Sequence, residues 1–165
     1  MRAEASSPSL KKVWKSVVGS TVTAVTVIGG FFGIYSFMQG YSRYDLTGQW
    51  TITNTIVSTS YQPYKGLKLG YTVFLTQHGT DITGTGEKES EDGKDLPSGA
   101  HTPIEVNGSI SGRKITATFI EKGAKRESEG TFSWTYQAKT KGLAGTFTST
   151  AADTSGPSTA SRVLP

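Results

Sequence analysis

The chain has 165 residues, 17 basic and 13 acidic side chains, a formal charge of +4 and no cysteine. Disulfides, thiolate zinc sites and cysteine nucleophiles are thereby excluded, and the redox compartment is left open. The charge is no nucleic-acid signature, because residues 1–45 hold five basic and two acidic groups while the rest of the chain holds 12 against 11. The excess flanks one apolar stretch, and no DNA- or RNA-binding domain is indicated.

Residues 1–12, with Ser6, Ser7, Pro8 and Ser9, read as a disordered tail. Val17 to Met38 then run for 22 residues without Asp, Glu, Lys, Arg or His. A helix of that length reaches roughly 33 Å, enough for a hydrocarbon core of about 30 Å. A signal peptide has an apolar region of about 7 to 15 residues before a small-residue cleavage site, whereas this run ends in Phe37, Met38 and Gln39. The expectation is an uncleaved, single-pass transmembrane helix over 13–40 and a linker over 41–47, with Trp14, Tyr35, Tyr41 and Tyr44 at the interfaces. Gly19, Thr23, Thr26, Gly30 and Gly33 share one helical stripe, and Gly29 with Gly33 gives a G-x-x-x-G spacing. Close packing of such stripes points to a homo-oligomer in the lipid bilayer. The basic residues before the anchor, against Arg43 after it, put the folded part outside the cytoplasm by the positive-inside rule.

From Gly48 the apolar period changes to two. Short Thr-rich, aromatic segments separated by Gly-containing turns predict eight strands: Gln49 to Ser58, Tyr71 to Gln77, Ile82 to Glu89, Ile104 to Ser111, Lys114 to Glu121, Gly130 to Gln137, Leu143 to Thr150 and Thr159 to Leu164. Tight connections after the second, fourth and sixth alternate with longer ones at 59–70, 90–103, 122–129 and 151–158. That alternation predicts an all-β domain over 48–165, an eight-stranded antiparallel up-and-down barrel with short turns at one end and long loops at the other. Alternation directs Phe132, Trp134 and Tyr136, Tyr71, Val73, Leu75 and Gln77, Ile115, Ala117 and Phe119, and Leu143 and Phe147 inward. Gly84, Gly86, Gly108, Gly130 and Gly145 relieve crowding among them.

Gly48-Gln49-Trp50 opens the first strand and Arg162 lies near the end of the last. This resembles the calycins (lipocalins, fatty-acid-binding proteins and avidins), in which such a Trp plugs the closed end and a basic residue packs across it. The resemblance gives Trp50 and Arg162 a structural role in barrel closure. A short N-terminal membrane segment joined to a minimal barrel also resembles the transmembrane β-barrel effectors of cyclic-oligonucleotide anti-phage defence, CBASS. That resemblance implies a cyclic di- or oligonucleotide as ligand, oligomerisation, disruption of the bacterial inner membrane, and a barrel on the cytoplasmic side, where the charge rule would not place it. Family members commonly have two membrane helices where this chain offers one. The other reading is a membrane-anchored lipocalin-like carrier of a small apolar ligand, in the periplasm or at the cell surface.

A nucleotide-binding mouth needs aromatic faces for bases and donors for phosphates. Tyr71, Trp134 and Tyr136 are the stacking candidates and Gln77 a hydrogen-bonding one, with Tyr61, Tyr64, Lys65 and Lys68 of the first long loop set to close over them. A filled core with surface tyrosines is the competing reading of the same residues. Catalytic chemistry is not indicated. His78 and His101 fall at opposite ends of the barrel, so neither a metal centre nor a Ser-His-Asp arrangement converges. The run Glu87, Glu89, Glu91, Asp92 and Asp95 reads as a solvated edge. The expectation is a non-enzyme without metal or cofactor.

Overall fold

A computed structural model describes residues 44–163. The anchor expected over 13–40, its stripe of Gly19, Thr23, Thr26, Gly30 and Gly33, and Leu164 lie outside the described residues. Among the described residues no helix is long and apolar enough to cross a membrane.

Alternating inward apolar and outward Thr or Ser residues build one antiparallel sheet. Its strands are β1 (Gly48–Thr55), β2 (Lys68–His78), β3 (Asp81–Glu91), β4 (Lys94–Asp95), β5 (Thr102–Ser111), β6 (Lys114–Lys122), β7 (Glu127–Gln137), β8 (Gly142–Ser149) and β9 (Thr154–Arg162). β4 is a two-residue return against the end of β3. The other eight strands pair in chain order, and β1 pairs with β9 to close the barrel. Residues 79–80, 112–113 and 138–141 make the turns at one end. Gly79 and Gly112, at φ +63° and +60°, take the first positions of the two-residue turns, where a Cβ would be strained.

The last strand starts at Thr154 rather than at Thr159, so the final mouth loop is only 150–153. Gly156-Pro157 reads as a turn signal, yet Pro157 sits inside β9 opposite Thr146. The β1–β9 ladder stops at Asn54 and Ser158, one residue short of Pro157, whose ring has no N–H to give. β1 in turn ends at Thr55 instead of Ser58, because Ile56 exchanges backbone bonds with Gly66 and Leu67 of the following loop.

The lower half of the barrel is solid. Phe132 stacks on Trp134 at 4.2 Å and on Phe119 at 4.5 Å, among buried Ile52, Val73, Leu75, Ile115 and Leu143. Each such side chain contributes about 1.5–3 kcal/mol by leaving water. Gly145 lets β7 and β8 close around the indole, since a Cβ there would collide with the Ser133 carbonyl oxygen.

The closed end is sealed by residues 44–47, the part of the expected linker that belongs to the barrel. Leu46 is buried, its N–H donates to Gln77 Oε1 at 2.9 Å, and its carbonyl accepts from Trp50 Nε1 at 2.8 Å. Arg162 lies 5.4 Å from the Trp50 ring centroid and donates to the carbonyls of Asp45 at 2.6 Å and Thr47 at 2.7 Å. Tyr44 stacks on Tyr136 at 3.9 Å and donates to the Gly112 carbonyl.

Candidate functional site

β1 enters from the closed end and each of the seven later barrel strands, the short return β4 aside, reverses, so a residue's depth in the barrel follows from its distance to a short turn. Near the mouth the inward positions stop being apolar. Lys88 of β3, Thr102 of β5, Glu121 of β6, Ser128 of β7, Ser149 of β8 and Thr154 of β9 form a polar layer above Phe119 and Phe147. With Ile56, Leu67, Leu69, Tyr71 and Tyr64 they line a cavity of about 440 Å³ that opens between the long loops.

A bulge shapes one wall. Gly70 pairs with Ser90 but Tyr71 pairs with Lys88, which leaves Glu89 as the extra residue on β3. In a regular strand residues three apart face opposite sides; the inserted residue instead turns both Lys88 and Glu91 inward, and they pair at 3.2 Å. Lys88 also pairs with Glu121 at 3.2 Å, and the Tyr71 hydroxyl donates to the other Glu121 oxygen at 3.2 Å. Tyr71 thus reaches from β2 to β6, three strands away around the barrel.

These side chains are electrostatically coupled. Burial pushes the Tyr71 phenol well above the usual tyrosine value, and the Glu121 charge raises it further. Burial alone would lower the Lys88 ammonium, but Glu121 and Glu91 outweigh it and hold Lys88 above its ordinary value. Lys88 therefore remains cationic inside the mouth. Lys125 and Arg126, from the β6–β7 loop, add two exposed cations to the rim.

One buried group is left over. Asn54, on the inward face of β1, is fully buried, and neither amide atom has a hydrogen-bond partner. The Tyr71 hydroxyl interacts with it weakly: a side-chain hydrogen bond from the amide pulls the phenol pKa down against burial and Glu121, although the contact falls outside the geometry of a well-formed bond. An unmade buried donor or acceptor costs about 1–3 kcal/mol.

The residues expected to bind ligand divide by depth. Tyr71 and Tyr64 line the mouth cavity, and Lys65 stands exposed beside Tyr64 without lining it. Trp134 is buried in the lower core, with its indole N–H donating to Ser158 Oγ at 2.9 Å, so it offers no free face to a base. Tyr136 and Gln77 are occupied at the closed end by Tyr44 and Leu46. Lys88, Glu121 and Asn54 were missed, although the same alternation that places Ile115, Ala117 and Phe119 inward continues to Glu121, and from Ile82 through Gly84 and Gly86 to Lys88.

Glu87, Glu89 and His101 bring one ligand atom each within 4.8 Å of one another on the outer surface. Both His101 nitrogens are already engaged, Nδ1 with Glu87 at 2.9 Å and Nε2 with the Leu96 carbonyl at 3.1 Å. Two acceptors suit an imidazolium, which has no lone pair for a metal. The Glu87 hydrogen bond raises the His101 pKa accordingly.

No protein-family model matches the chain, and no curated protein is significantly similar to it in sequence.

Proposed function

We propose that this protein is a membrane-anchored β-barrel receptor and effector. Its mouth takes a cyclic di- or oligonucleotide, and its N-terminal segment oligomerises to disrupt the bacterial inner membrane in anti-phage defence. The observation that carries the reading is the polar layer set over an apolar floor in the mouth. Lys88, Lys125 and Arg126 suit phosphate oxygens, Glu91 and Glu121 can accept from the N–H groups of bases, and the exposed Tyr64 offers a face. The cavity of about 440 Å³ falls in the size range of small-molecule sites. The sidedness in this reading follows the family resemblance, with the barrel in the cytoplasm.

The test is calorimetric titration and thermal melting of the full chain in detergent micelles against cyclic di- and trinucleotides, fatty acids and retinoids. A specific cyclic nucleotide should stabilise the fold by about 2.7 kcal/mol at 100 times its dissociation constant. It should also trigger dye release from liposomes carrying the protein, and Gly30→Leu with Gly33→Leu should abolish that release without changing affinity. Binding of apolar ligands alone would replace this reading with the anchored carrier, which the apolar floor of Ile56, Leu69, Phe119 and Phe147 also suits.

A further inference from the structure

The unpaired amide of Asn54 lies directly beneath the mouth. It follows Ile52 on β1 and precedes Ile56 just beyond the strand, opposite Leu69 of β2 and Ser158 of β9. Its β2 partner Leu69, Tyr71 and Ile56, two residues further along the chain, line the cavity, while Asn54 itself is fully buried behind them. The Ser158 hydroxyl accepts from Trp134 and the Tyr71 hydroxyl donates across the barrel to Glu121; each has one hydrogen-bonding capacity left, and neither meets the amide in well-formed geometry. A core position needs no amide for packing, since an apolar side chain of the same branching has no polar atoms to satisfy. Asn presents one acceptor and one donor side by side, which is the complement of a planar edge carrying an adjacent donor and acceptor. Asparagine reads adenine by such a pair in DNA complexes.

We propose that Asn54 is the inner anchor of the mouth cavity, forming a paired hydrogen bond with the amide-like edge of a planar heterocycle that passes Tyr71 when its bond to Glu121 opens. Glu121 is well placed for that opening, because a ligand N–H arriving at its carboxylate competes directly with the Tyr71 hydroxyl. Tyr71 then acts as the inner gate of the site and Asn54 selects what lies behind it. The inference rests on the mouth being a ligand site, and names the group that confers specificity there.

Asn54→Leu in the full chain in detergent separates this role from a structural one. Removing an unpaired buried amide should raise the melting temperature of the ligand-free protein by several degrees, while affinity for a cyclic dinucleotide should fall about tenfold or more. A lower or unchanged melting temperature would show that the amide is satisfied in the fold, and unchanged affinity would show that the ligand does not reach it. Either result overturns the proposal. Should the variant not fold, the side-chain amide resonances of Asn54 in the wild type decide: they should shift downfield on saturation with ligand, and static resonances overturn the assignment. If no cyclic dinucleotide binds the wild type, the functional reading fails by itself. The anchor is then judged with adenine, uracil and 2-pyridone at millimolar concentration, where a shift confined to Asn54 and Tyr71 supports it and no shift refutes it.

Discussion

Glu121→Gln probes the coupling at the mouth with almost no change of shape. The glutamine oxygen can still accept from Tyr71, so what is removed is the charge facing Lys88. The Lys88 and Glu121 side chains are only 16% and 14% exposed. Deleting one partner of a fully buried pair costs about 3–5 kcal/mol, but Lys88 keeps Glu91 at 3.2 Å, itself 42% exposed. The expected loss is therefore about 1–3 kcal/mol, a fall of roughly 3–15 °C in melting temperature for a barrel of this size. Since the folded Lys88 value lies above the ordinary 10.5, its contribution is complete below that pH and lost as pH rises through the folded value. The alkaline edge of the stability profile should accordingly move to lower pH in Glu121→Gln. Thermal melts from pH 7 to 11 read both effects. Lys88→Met with Glu121→Gln should recover most of the loss, because it removes the buried cation along with its partner's charge and keeps the acceptor for Tyr71. A Glu121→Gln protein as stable as the wild type, or a double variant less stable than either single one, would refute the argument.

At the closed end, Arg162→Ala should cost about 1–3 kcal/mol in urea unfolding, through two carbonyl bonds and the face of Trp50, and Arg162→Lys should recover less than half of it. Gly145→Ala should destabilise by more than about 3 kcal/mol or prevent folding, while Gly99→Ala, where nothing crowds the added methyl, should melt within a degree of the wild type. Trp134→Ala should lose about 3–5 kcal/mol, whereas Trp134→Phe should leave the affinity of any mouth ligand unchanged. The His101 imidazole should titrate above 6.5 by NMR, and the contact it makes with Glu87 should be complete below that pH and weaken as pH rises through the folded value; Glu87→Gln should return the midpoint toward 6.5.

The barrel was legible because its alternation is regular where the strands cross the core. Ile115-Thr-Ala-Thr-Phe119 and Phe132-Ser-Trp134 each declare which face is buried, and the turn glycines fix the register. Ends were less legible. Gly156-Pro157 looked like a break, and only the end of the β1–β9 ladder at Ser158 shows why a proline is tolerated inside the strand. The site was read by side-chain type and not by depth, which brought Trp134, Tyr136 and Gln77 together with Tyr71 although strand polarity places them toward the opposite end. Counting from the turns would have separated them: Tyr136 and Gln77 are each within two residues of a short turn, whereas Tyr71 is three from the mouth end of its strand.

Polar residues at strand ends are the reason the polar lining of the mouth escaped notice. Lys88 and Glu121 look like ordinary surface charges near loops, and Glu91 falls on the outward parity of an unbroken strand. Only the bulge at Glu89 turns Glu91 inward, and nothing in Glu-Lys-Glu-Ser-Glu announces a bulge. The arrangement of sizes supplies the missing constraint. Phe119, Phe132, Trp134 and Phe147 fill the middle of the barrel, where Gly130 gives way to Phe119 and Gly145 to the Trp134 backbone, and of the aromatic side chains only Tyr71 and Tyr64 line the mouth above them. Large rings packed low, a rim of mutually paired polar side chains, and the Asn54 amide just beneath are what the proposed polar ligand would require. A uniformly filled barrel would have carried its apolar alternation to the loops.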